Sequence, residues 1–170
     1  MTNSKKPFVK FKDLIKILCF FVGGQLLIVL LIVIPTIPTH SIAKYESIYE
    51  SFNGDKGYLP TEIPDNVSEV EFSASIKSGF VASYIYLKFK ASDEYIDNYI
   101  KAHKEGEPVK LSETSSEMKL PKSLKKIREK EENADRIYVY THYSEKNNVM
   151  NFSVDEENDI IYFYSVYSTR

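Results

Sequence analysis

Residues 69–90 read EVEFSASIKSGFVASYIYLKFK, and this stretch decides the fold. From 69 to 77 apolar and polar residues alternate. Val70, Phe72, Ala74 and Ile76 fall on one side, Glu71, Ser73, Ser75 and Lys77 on the other. A period of two is the signature of a strand with one buried face. Ser78-Gly79 is a turn signal, and 80–90 then alternates again. Val81, Ile85, Leu87 and Phe89 point inward here, while Tyr84, Tyr86, Lys88 and Lys90 point outward. Two such runs around a short turn predict an antiparallel β-hairpin.

Beyond the hairpin, Ser92 can cap a helix over 92–104, with Asp93 and Glu94 suited to its positive N-terminal end. Tyr95, Ile96, Tyr99, Ile100 and His103 form its apolar stripe. Residues 106–117 read as a polar loop. A second helix is predicted over 121–132, with Pro121 at its first position and Leu120, Leu124 and Ile127 as a narrow apolar face. Three strands follow, at 136–143, 148–154 and 159–168, joined by polar turns. Short turns imply an antiparallel meander. Before the hairpin, Pro60 and Pro64 make 58–66 an extended lead-in. Ile42, Tyr45, Ile48, Tyr49 and Phe52 recur at helical spacing, predicting a short helix that packs on the domain or rests at a lipid interface. The expected class is α+β: an N-terminal transmembrane helix, then an antiparallel sheet of about five strands with one or two packed helices.

The transmembrane expectation rests on residues 17–34. They contain no charge, and fourteen of the eighteen are Leu, Ile, Val or Phe. Residues 14–34 as a helix would span ~31 Å, one bilayer core. Lys5, Lys6, Lys10, Lys12 and Lys16 precede the run against one acid, Asp13. Basic flanks stay on the cytoplasmic side, so the expected location is the cell membrane, single-pass, with the C-terminal domain extracytoplasmic. The divisions are then a basic tail at 1–13, the span at 14–37, a juxtamembrane helix and extended linker at 38–68, and the α+β domain at 69–170. Ser41-Ile42-Ala43 resembles a signal-peptidase site, but the apolar run exceeds the 7–15 residues of a usual signal, so retention is expected. Cys19 and Gly23 lie four apart, a spacing that permits weak helix self-association.

Removing the five lysines and Asp13 from 22 basic and 24 acidic residues leaves 17 and 23, a net charge of −6 beyond the anchor. That argues against a nucleic-acid partner, which needs a positive footprint. Cys19 is the one cysteine, so disulfides cannot stabilise the domain.

Catalytic and metal motifs are missing. His40, His103 and His142 are far apart in sequence, and no ligand-spaced cluster includes them. Three Ser-x-x-Lys matches, at Ser41/Lys44, Ser116/Lys119 and Ser123/Lys126, are about what 18 serines and 19 lysines give by chance. Asp155, Glu157 and Asp159 alternate like calcium-loop ligands, but Ile160 stands where the loop's Gly belongs. No cofactor, metal or catalytic residue is assigned. Tyrosine is the informative residue: all 13 lie beyond the apolar run. Tyr84, Tyr86, Tyr138, Tyr140 and His142 occupy alternating strand positions, a possible ligand- or partner-binding face. The competing reading is that tyrosine is simply a good strand residue, or that the second helix covers it.

The basic tail, single apolar run and Tyr58-Leu-Pro-Thr-Glu-Ile-Pro64 lead-in before a hairpin and helix resemble uncharacterised small membrane-anchored proteins of Gram-positive bacteria. That resemblance concerns organisation and implies no activity, cofactor or site residue. The sequence therefore points to a non-enzymatic, membrane-anchored binding or interaction protein of the envelope, whose partners would be the lipid bilayer and an envelope protein or cell-wall ligand. The alternatives are an immunity or inhibitor protein against a secreted toxin, and a small envelope hydrolase.

Overall fold

The computed structural model of the protein describes the backbone of residues 11–33, 38–76, 82–104, 106–131, 133–145 and 148–168, and their side chains except at 11, 13–14, 17, 28–33 and 141–145. The expected Ser78-Gly79 turn and the inward Val81 lie outside the described residues. Two compact units are present, Met1–Ile37 and Pro38–Arg170.

The first unit holds helix α1, Phe11–Val33, 23 residues long and hence ~35 Å from end to end. Leu18, Phe20, Phe21, Val22, Leu26 and Leu27 are all exposed on it. Among the described residues, no helix is long and apolar enough to cross a membrane.

The second unit is α+β. Its strands are β1 (Ser68–Ser75), β2 (Ser83–Lys90), β3 (Val109–Lys110), β4 (Ile137–Glu145), β5 (Asn148–Asp155) and β6 (Ile160–Tyr167). Every pairing is antiparallel, in the spatial order β1-β2-β6-β5-β4-β3. The hairpin and meander form as the alternation predicts, and the meander returns β6 to lie beside β2. Among the described residues the strand count is six rather than five. Val109 and Lys110 pair with Val139 and Tyr138, inside the stretch expected to be loop. Leu111 follows them into a 3-10 turn and is fully buried. A two-residue strand is too short to show a period, so the alternation test passes over it.

Three helices cover the sheet, α2 (Tyr45–Ser51), α3 (Asp93–His103) and α4 (Lys122–Lys130). Ser92 caps α3, its hydroxyl accepting from the Tyr95 amide at 3.3 Å. Ile96 of α3 and Tyr45 of α2 are buried with Phe72, Ile85, Leu87, Phe89, Phe152 and Phe163 in the main core. Phe152 and Phe163 stack at 5.7 Å across the β5–β6 pair, and Tyr99 meets Phe163 edge-on at 5.3 Å. Residues 38–68 belong to this body. Tyr45, Phe52 and Leu59 are core residues, and the Tyr45 hydroxyl donates to the Pro60 carbonyl at 2.5 Å. Packing on the domain thus buries Tyr45 and Phe52 of the predicted stripe and half-buries Ile48 and Tyr49, while Ile42 stays exposed. Thr39 exchanges two backbone bonds with Ala74, at 2.8 and 3.0 Å, covering part of the β1 edge.

The opposite face carries a smaller core: Leu111, Leu120, Leu124, Ile137, Val139 and Tyr162, with Tyr86 and Ile127 packed against it. Leu124 of α4 is its fully buried centre. The sheet therefore lies between two unequal helical layers, α2 and α3 on one side and α4 on the other.

Candidate functional site

Strand alternation aims Tyr84 and Tyr86 away from the main core and towards α4. Register completes the patch. Ser73 pairs with Tyr86, Tyr86 with Tyr164, and Tyr84 with Val166, so side chains from three adjacent strands share one face. Helix α4 crosses above them. The Ser123 hydroxyl donates to the Tyr86 phenol oxygen at 3.0 Å, and the Ser73 and Tyr84 hydroxyls share a bond at 3.1 Å. Between helix and sheet remains an open groove of about 260 Å³, lined by Ser73, Tyr84, Tyr86, Pro121, Lys122, Ser123 and Tyr164. Arg128 secures the segment before α4 by donating to the Ser115 carbonyl at 2.7 Å.

Two of the groove's tyrosines, Tyr86 and Tyr164, keep their protons. Burial pushes the Tyr86 phenol up to about 12, with Glu71 adding to the rise and the Ser123 hydroxyl opposing it. Tyr164 is raised by burial and by Tyr84 beside it. The groove thus offers neutral phenols, aliphatic and aromatic surface, and one ammonium, that of Lys122.

Of the five positions predicted as one face, four are divided between two. Tyr84 and Tyr86 meet in the groove. Tyr140 is buried on the other face against Phe152, at 5.8 Å, where its hydroxyl donates to Glu156. Tyr138 packs beside the same main core. A bulge between Val139 and Thr141 shifts β4 out of simple alternation there. His142 lies on β4 opposite Asn151, and its side chain is outside the described residues. Tyr164, Ser73, Lys122 and Ser123 take the places that sequence reading missed. The Tyr162-x-Tyr164 alternation was visible, but its neighbour across the sheet was not.

The rejected motifs have structural roles. Ser123 is engaged with Tyr86, a protonated phenol that cannot serve as its base. Asp155 is buried and closes the β5–β6 turn, accepting from the Asn158 amide and side chain at 3.2 and 2.9 Å. Among the described residues, no group of three or more His, Cys, Asp or Glu could hold a metal ion. His103 stacks on Tyr99 at 4.2 Å, with Nδ1 3.0 Å from the Tyr99 carbonyl. No family model, curated protein or solved structure matches this chain.

Proposed function

We propose that this protein is a membrane-anchored binding protein of the cell envelope. In this reading α1 is the anchor, the N-terminus is cytoplasmic, and the tyrosine groove beneath α4 receives a partner outside the membrane. The groove is the observation that carries the binding half. Three half-buried tyrosines from two strands line a hollow beneath a nine-residue helix. Tyrosine gives large contact area with a polar tip and few rotors to order. The groove is open and small beside the 300–1,000 Å³ of typical small-molecule pockets, which suits recognition of an extended partner over enclosure of a substrate.

The anchoring half rests on the sequence, the uncharged run at 17–34 in which fourteen of eighteen residues are Leu, Ile, Val or Phe. Each Leu, Ile, Val or Phe at mid-membrane favours insertion by roughly 0.3–0.6 kcal/mol, so fourteen supply about 4–8 kcal/mol. Five lysines on the N-terminal side set the direction.

Protease added to intact cells, or to spheroplasts where a wall blocks access, tests the anchor. The domain should be cut first at exposed Gly106 and Glu107. Protection until the membrane is broken reverses the orientation, and a free domain beginning at Lys44 removes the anchor. A photo-crosslinking residue at position 84 tests the groove, with position 98 on exposed α3 as control. Adducts from 84 and none from 98 support the proposal, and equal yields from both count against it.

A further inference from the structure

Charge reverses around the groove. The chain beyond the anchor is acidic, yet residues 119–130 hold Lys119, Lys122, Lys125, Lys126, Arg128 and Lys130 against Glu129 alone. Lys119 and Lys122 are exposed and form no salt bridge among the described residues. Tyr164 joins the groove to a second hollow of about 350 Å³, on whose rim Lys119, Lys125 and Arg128 stand with one acid, Glu117. Together they make a track with tyrosine rings on its floor and cationic groups along one side.

The track runs over the face of the sheet. The backbone groups of β2 and β6 beneath it are committed to the ladder between them. A peptide strand laid here would find no backbone edge to pair with, which removes the usual source of affinity for extended peptides. What the track offers is hydroxyls, ring faces and ammonium groups. Sugar rings match that set: their C–H faces pack on tyrosine, their hydroxyls exchange bonds with Ser73 and Tyr84, and acidic substituents pair with lysine. We infer that the groove takes a strand of acidic polysaccharide, a proposal that rests on the binding reading above and names its ligand class.

The test uses the full chain in lipid nanodiscs and three probes: oligomeric hyaluronate, neutral dextran oligomers and poly-L-glutamate. Binding is followed by calorimetry at about 50 and 200 mM salt, since exposed charge pairs weaken as screening shortens. Hyaluronate should bind, more weakly at the higher salt, and dextran and poly-L-glutamate should bind at least tenfold more weakly, on the order of 1.4 kcal/mol. Lys122→Gln should lower hyaluronate affinity about two- to fivefold, as for an exposed ion pair. Tyr84→Ala should lower it about two- to tenfold through the lost ring face. Lys101→Gln, on exposed α3 and with the same change in net charge, should leave it unchanged. Equal binding of dextran, tighter binding of poly-L-glutamate, or equal effects of the Lys101 and Lys122 variants would overturn the inference. Failure of hyaluronate to bind, alongside a specific crosslink from position 84 to a protein, would overturn the ligand class and leave the binding-module reading standing.

Discussion

Leu124→Ala is the substitution that best separates the two helical layers. Leu124 is fully buried and is the centre of the smaller core, with Leu120 at 9% exposure and half-buried Ile127 beside it. Truncating a buried leucine costs about 2–5 kcal/mol, the lost transfer energy plus the cavity left behind. Alone, nine helical residues are too few to be stable in water, so α4 exists because it is docked. Its other attachments are modest: the Ser123–Tyr86 bond, worth about 0.5–1.5 kcal/mol, and the Arg128 bonds to Thr114 and Ser115. A loss of about 3 kcal/mol should therefore raise the undocked population of α4 by about a hundredfold. Native-state hydrogen exchange by mass spectrometry reads this directly. Peptides over 122–130 should exchange about a hundredfold faster, while those over 160–167, backed by the main core, change far less. Exchange of α4 within threefold of the parent protein would refute this view of its docking. Equal acceleration of α4 and β6 would show one cooperative unit and refute the separation of layers.

Other predictions follow from the tyrosines. Tyr86→Phe removes the partner of Ser123 and should cost about 0.5–1.5 kcal/mol in chemical denaturation, with α4 exchange rising while β5 is unaffected. Tyr140→Phe removes a bond to the Glu156 carboxylate and should cost about 1.5–3 kcal/mol, the range for bonds to charged groups. Its effect should persist in a Glu156→Gln background if a neutral acceptor serves equally well and vanish if the carboxylate charge is required, so the double-mutant cycle separates charge from geometry. Burial raises Tyr45, Tyr86, Tyr95, Tyr99, Tyr140, Tyr162 and Tyr164 above the ordinary value of 10.0. A raised folded value means the unfolded chain loses the proton first, so stability is whole below pH 10 and falls as pH climbs towards 12 and beyond. Of the 13 tyrosines, these seven should ionise only in step with the loss of circular dichroism; tyrosinate absorbance from all thirteen in a still-folded protein would contradict their burial.

The main sheet was legible because apolar and polar residues alternate on both sides of the Ser78-Gly79 turn signal, and β2 realises that pattern at every position, buried and half-buried in turn. Helix α3 was legible from Ser92 and its aromatic stripe. What escaped was set by partners distant in sequence. Val109 and Lys110 become a strand because β4 is beside them, and Leu111 is buried because Leu124 and Ile137 enclose it. The tyrosine face was half legible. Alternation gave the sides of Tyr84 and Tyr86, but it could not show that β6, seventy residues on, brings Tyr164 beside Tyr86. Nor could it show that the register of β4 on β5, with Tyr138 opposite Val154, puts Tyr138 and Tyr140 on the main-core side. The possibility that the second helix covers the tyrosines was open in the sequence, and α4 does cover Tyr86 while leaving the groove beside it.

Hydroxyl-radical footprinting of the tyrosines tests the central claim most directly, comparing intact native membranes with the purified protein. An occupied groove predicts that Tyr84 and Tyr164 are several-fold less oxidised in native membranes, while Tyr49 and Tyr95, half-buried around the main core, react equally in both. Equal oxidation of Tyr84 and Tyr164 in the two preparations would contradict the account.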